Sequence, residues 1–384
     1  MNGPAQFIPL ADPDMSAAEL DAVAAVLRSP QLGQGRVVEA FEQAFAARVG
    51  RAHAVAVSSG TLGLLLVLRA LDIGAGDEVI AAPYAWHQLA WAVPHAGATL
   101  KLADIDYWTG SIAPDKAAAA VNESSRALLA TNVNGHPAAW QALEALATQQ
   151  GLHLIEDASE SFGSRYQGRE VGTFGLASIF DFAAPSALCC GEGGMVVTDD
   201  SRLAVRLRHL RSHRIEDRQS VVIGTYPALR ATMSNISAAL GLVQLGRIDA
   251  ILERRARIAA SYLEAIQSFE GIKPPYMAPE VDTVHWFTYG VHLGTRFSKS
   301  SRDAIVDDLA TADIEAVAYC RPLHLQAYFT ERGYRKGALP VTERIVDRSF
   351  ALPFHGHLND EQIAFIVQTA KDASINVGAG AAIY

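Results

Sequence analysis

GLHLIEDASE, residues 151–160, sets Leu152, Leu154 and Ile155 in a short apolar run that ends at two acids, Glu156 and Asp157. A short apolar run bounded by polar residues is the pattern of a strand buried on both faces. Immediately upstream, AAWQALEALATQQG (138–151) has apolar residues at helical spacing, and ALLATNVNG (127–135) before it is another buried-type strand. Strand, helix and strand in succession predict parallel strands joined by a crossover helix.

The same alternation extends outward. HAVAVSS (53–59) precedes a helix that begins near Gly60 and runs through LGLLLVLRAL (62–71). GDEVIAAP (76–83) reads as a strand, AWHQLAWAVPHAG (85–97) as a helix and TLKLADI (99–105) as a strand. Two amphipathic helices, 16–28 and 37–48, come first. After GGMVVTDD (193–200) the pattern changes: a helical stretch over 234–267 leads into a C-terminal part beginning near Gly271. There HWFTYGVHL (285–293) and AVAYC (316–320) read as strands. SSRDAIVDDLATA (300–312) and NDEQIAFIVQTAKDA (359–373) read as helices, and NVGAGAAIY (376–384) as a loose tail. The predicted architecture is α/β: a large domain over 1–250 with a mostly parallel sheet covered by helices, and a smaller α+β domain over 251–384.

Composition bounds the function. The 384 residues are 50% hydrophobic and 19% charged, a globular composition with room for a large core. A net charge of −9 argues against nucleic acid, because phosphate binding needs clustered Lys and Arg. The sequence shows no signal-like start and no apolar run long enough to span a bilayer, so a cytoplasmic protein acting away from membranes is expected. Three cysteines, two of them adjacent at Cys189 and Cys190, make no disulfide framework and fit buried small hydrophobes better than a catalytic thiol.

Three short motifs fall where ligands bind in such sheets, at the carboxyl ends of strands. Ser59, Gly60 and Thr61 lie at a strand-to-helix turn, either an ordinary cap or an anion site made by free amides and the helix dipole. Trp86 in PYAW could stack on a flat ring or pack in the core. Asp157 closes a very apolar strand, where a carboxylate is costly without a partner.

The order and spacing of these motifs resemble the DegT/DnrJ/EryC1/StrS aminotransferases, fold type I enzymes that use pyridoxal phosphate (PLP) to aminate keto-sugars and cyclitols. The resemblance runs from IPLADPDMSAAELDAVAAVLRS (8–29) and LGQGRVVEAFEQAFAARVG (32–50) through GLHLIEDASESFGSRYQGREVGTFG (151–175) to GEGGMVVTDD (191–200). It continues in AALGLVQLGRIDAILERRARIAASY (238–262), RPLHLQAYF (321–329) and ERIVDRSFALPFHGHLNDEQI (343–363). It implies that Gly60 and Thr61 hold the cofactor phosphate, that Trp86 stacks on its ring and that Asp157 pairs with the protonated ring nitrogen. It also implies a homodimer with a shared active site.

Four positions depart from the family pattern. In FDFAAPSALCCGEGG (180–194), Ser186 falls on the lysine that forms the Schiff base, and Asp181 falls on a serine that contacts the phosphate. Glu160 replaces a glutamine, and Arg230 an asparagine that reaches the phosphate from the neighbouring subunit. No slip of alignment supplies an amine, since the six lysines are Lys101, Lys116, Lys273, Lys299, Lys336 and Lys371. Serine can neither form the Schiff base nor shuttle its proton. A carboxylate about 4 Å from a phosphate costs roughly 4 kcal/mol per charge pair. An Asp181–Arg230 ion pair filling the phosphate cup is therefore expected.

These departures lead to an enzyme that works without PLP. Asp157, Glu160, Asp181, Ser186 and His87, with Tyr84 close by, are the candidate catalytic groups for an elimination, cyclisation or condensation on a polar metabolite. One alternative is PLP or pyridoxamine phosphate (PMP) bound non-covalently, with an aminotransferase or dehydratase reaction on a keto-sugar or cyclitol. Another is a non-catalytic partner of an active homologue. No metal is implied.

Overall fold

The structure is a computed structural model that describes residues 7–212, 227–267 and 269–381. Its main sheet has seven strands in the order β1-β9-β8-β5-β4-β2-β3. These are β1 (His53–Val57), β2 (Glu78–Ala81), β3 (Thr99–Leu102), β4 (Ser125–Thr131), β5 (His153–Asp157), β8 (Ala177–Asp181) and β9 (Gly194–Thr198). The run from β3 to β8 is parallel throughout, and β9 lies antiparallel between β8 and β1. Helices cover both faces. Gly60–Ala70 buries Leu64, Leu66 and Leu68 on one side, while Trp140 and Leu143 of Trp140–Gln150 pack on the other. Strands buried on both sides have no polar face to show, which is why they read as unbroken apolar runs.

A smaller sheet, β10 (Ile272–Lys273), β12 (Tyr289–Leu293) and β13 (Ser349–Leu352), forms the C-terminal part with helices Lys299–Thr311 and Asp360–Ala381. Its core takes Ile258, Tyr262 and Ile266 from the helix Asn235–Ile266, and Ile8 from the N-terminal segment. That 32-residue helix passes through position 250 without a break, so the two parts share an element there. It is also the one described helix long and apolar enough to cross a membrane, yet half of its apolar window is buried inside the protein. A third sheet pairs β11 (Val281–Thr283) with β6 (Arg165–Tyr166) and β7 (Arg169–Glu170), stitching the C-terminal part to the large one.

Four local expectations change. The stretch 85–97 holds only two short helical turns, Leu89–Trp91 and Ala92–His95, because the Trp86 and His87 amides donate to the Glu160 carboxylate instead of starting a helix. The strand in 285–293 starts at Tyr289, since the Phe287 and Thr288 amides are taken by Asn134. In 316–320 only Val317 pairs, in a single bridge to Ala351. The tail expected from 376 onward continues as helix to Ala381.

Candidate active site

Asp157 ends β5 and Asp181 ends β8, and the pairing of Asp157 with Ile179 puts both side chains on the same face of the sheet. One strand across and two residues along, their Cα atoms are about 8 Å apart. The preceding residue, Glu156, points to the other face. There it accepts from Asn132 Nδ2 at 2.8 Å, Ser178 Oγ at 2.6 Å and the Gly172 and Phe174 amides at 3.0 Å. Of the two adjacent acids, Glu156 is thus a satisfied internal anchor, and Asp157 lies on the opposite face of the sheet, the one Asp181 shares.

Asp157 is almost completely buried. Its carboxylate accepts from Thr131 Oγ1 and from the Ser159 amide, each at 3.1 Å, and among the described residues no cationic side chain bonds to it. Burial lifts its pKa to about 7, and the charge of Glu160 pushes the same way. A group with that pKa can give or take a proton at neutral pH.

Glu160 has four donors and no free lone-pair direction. Oε1 accepts from the amides of Trp86 at 2.7 Å and His87 at 3.2 Å, and Oε2 from the Asn134 amide at 2.7 Å and from the Tyr319 hydroxyl. Burial raises its pKa, and these bonds oppose the rise. The expectation that Glu160 supplies free acid/base capacity is corrected here: its carboxylate holds the 84–87 loop, the turn at Asn134 and the C-terminal segment at Tyr319 together. That turn is tight. Asn134 and Gly135 have φ of 52° and 93°, and a Cβ on Gly135 would clash with the His285 carbonyl.

Trp86 is half-buried, with its indole 6.0 Å from the Phe287 ring and 5.9 Å from Tyr319. His87 lies 5.3 Å from Phe287, and its Nε2 is buried without a hydrogen-bond partner among the described residues. Tyr84 is buried against Tyr319, with its hydroxyl 3.3 Å from Ser349 Oγ; burial pushes its pKa well up, so it stays a neutral phenol.

At the mouth of β1, Ser59 caps the helix Gly60–Ala70 through its hydroxyl, which accepts from the Leu62 amide at 3.2 Å, and Thr61 is its half-buried second residue. The Gly60 amide donates to Asp181 Oδ2 at 2.7 Å, and Oδ1 accepts from the Ala183 amide at 3.0 Å. Arg230 is exposed and forms no ion pair with Asp181 within the chain, so the expected pair is absent from a single chain. The carboxylate is satisfied by backbone N–H groups instead.

Ser186 sits in the turn after β8, its amide donating to the Ala183 carbonyl at 3.1 Å. It opens on a cleft of about 10 Å³, room for a single water, lined also by Asp12, Asp14, Arg255 and Gly356. Arg255 is buried and, among the described residues, donates only to carbonyls, those of Trp286, Phe287 and Phe354; burial lowers its pKa to about 10. The lysines lie elsewhere. Lys101 is on the edge strand β3, Lys116 pairs with Asp115 and Lys299 with Asp303. Lys273 and Lys336 are exposed, and Lys371 donates to the Ala265 carbonyl.

Sequence reasoning missed Thr131, Asn134, Ser159 and Tyr319. The Asn-Gly pair at 134–135 was a visible turn signal; nothing near Tyr319 in the chain announces that it meets Glu160.

The chain is similar over nearly its whole length to known proteins. Spore coat polysaccharide biosynthesis protein SpsC of Bacillus subtilis (strain 168) is 33% identical over 378 residues, covering 95% of this chain and 97% of SpsC. DesV of S. venezuelae, solved in complex with a ketimine intermediate, superposes with a TM-score of 0.87 at 31% identity, covering 96% of this chain and 98% of DesV. 3-Amino-5-hydroxybenzoic acid synthase superposes equally well, at 0.87 and 26% identity, over 97% of this chain and all of that one. The fold is the aspartate-aminotransferase-like fold type I, and with residues 13–371 matching its profile the chain belongs to the DegT/DnrJ/EryC1/StrS aminotransferase family.

Proposed function

We propose that this protein is an enzyme acting on a polar, polyhydroxylated metabolite of the keto-sugar or cyclitol kind by proton transfer, in an elimination, cyclisation or condensation, with no Schiff-base link to a cofactor. The observation that carries this reading is Ser186 in the turn after β8, together with the placement of every lysine away from Asp157 and Asp181. A Schiff base needs a primary amine, and a hydroxyl cannot replace it. Asp157, with its pKa lifted to about 7, is the group best placed to move a proton. The substrate class is taken from the family and from relatives such as SpsC, whose name places it in polysaccharide biosynthesis.

One observation favours a second reading, a PLP or PMP cofactor held non-covalently. Asp157 is buried with no cation against it among the described residues, as a carboxylate awaiting a protonated ring nitrogen would be. The residues fit only that end of the cofactor: position 186 offers no amine, and the Gly60 amide is already bonded to Asp181.

Borohydride reduction of freshly purified protein, followed by intact-mass measurement and an absorbance scan, tests the proposal. An unmodified mass and a colourless protein are expected. A pyridoxyl adduct on any residue refutes it, and a cofactor band that dialysis removes without an adduct establishes the second reading.

A further inference from the structure

We infer that Asp181 is an internal anion that occupies the anion site at the start of the helix Gly60–Ala70, so that a ligand bound beside that helix end carries no phosphate there. The helix is 11 residues long, and its first-turn amides and dipole make its N-terminus attractive to an anion. Two of those amides already have protein acceptors: Gly60 N–H donates to Asp181 Oδ2, and Leu62 N–H to Ser59 Oγ. The carboxylate presses directly on the turn, because a Cβ built on Gly60 would lie 2.9 Å from Asp181 Oδ2 and 3.0 Å from its Cβ. A phosphate at the same amides would have to displace the carboxylate or stand against it, charge to like charge.

The arrangement is held rigidly. Asp181 is 7% exposed at the end of a strand paired on its flank through Asp181–Gly194, and its second oxygen is fixed by the Ala183 amide. The nearest basic candidate from the sequence, Arg230, is exposed and does not neutralise it within the chain. A buried carboxylate with two backbone donors, and no cation among the described residues, satisfies the helix end permanently, where a bound phosphate would do so only while present.

The inference concerns the anion site and is independent of what stands at position 186, so the two readings can fail separately. Titration calorimetry of the full chain with inorganic phosphate, and then with pyridoxal 5′-phosphate, is the test. The native protein is expected to show no saturable binding of either at millimolar concentration. Asp181→Ser is expected to gain at least about tenfold in phosphate affinity, whereas Ser186→Lys alone gains none. If Asp181→Ser does not fold by circular dichroism, Asp181→Asn, which keeps the shape and removes the charge, carries the same comparison. Sub-millimolar binding of either ligand by the native protein overturns the inference, as does a position-181 variant that binds phosphate no better than the native chain.

Discussion

The Asn134 amide donates to Glu160 Oε2 at 2.7 Å while the Trp86 amide donates to Oε1 at the same distance, so both oxygens of one carboxylate face backbone N–H groups. A glutamine there must turn its NH₂ toward one of these pairs, donor against donor. Glu160→Gln should therefore destabilise the protein by about 1–3 kcal/mol despite its matching shape. Thermal unfolding should show a midpoint lower by several degrees. An unchanged midpoint would mean that the position does not distinguish acid from amide.

Asp157 gives a pH signature. Its folded-state pKa of about 7 lies above the ordinary aspartate value of 3.8, so between these limits the folded protein holds a proton that the unfolded chain has released. Stability then falls as pH rises from about 4 to about 7, by on the order of 4 kcal/mol for this group. Asp157→Asn removes this titrating group. The stability of the native protein minus that of the variant should decline across this window, and a flat difference would show that Asp157 ionises normally.

Glu42 and Arg211 form a buried ion pair joining the helices Arg36–Val49 and Ser201–Arg211, and Glu42 also accepts from the Ala56 amide. Neutralising Glu42 removes the carboxylate charge that faces the buried Arg211 guanidinium. Glu42→Gln should cost about 3 kcal/mol in chemical denaturation. The double change Glu42→Leu with Arg211→Met should be milder than the sum of its parts, and strict additivity would argue against the pairing.

A homodimer is our further expectation, since Arg230 is exposed in one chain and the resemblance read from the sequence implies that this position reaches a neighbouring subunit's site. Sedimentation velocity at micromolar concentration should give a species of twice the 41.1 kDa chain mass. A monomer would remove any role for Arg230 in a second chain's cleft.

The sequence alone determined the architecture, because strands buried on both faces must be apolar throughout and helices between them must show a 3.6-residue period. Local patterns of that kind need no knowledge of the rest of the fold. It also determined which residue types stand at Ser186, Asp181 and Asp157. It could not determine what those side chains bond to. Glu160 was visible as an acid, but only tertiary structure brings Tyr319, 159 residues away, and the amides of two separate loops onto its carboxylate. Likewise Asp181 was expected to need Arg230, yet it is satisfied by the Gly60 and Ala183 amides. Backbone N–H groups are the same at every residue and leave no mark in a sequence, so only the folded chain decides where they converge on a charge.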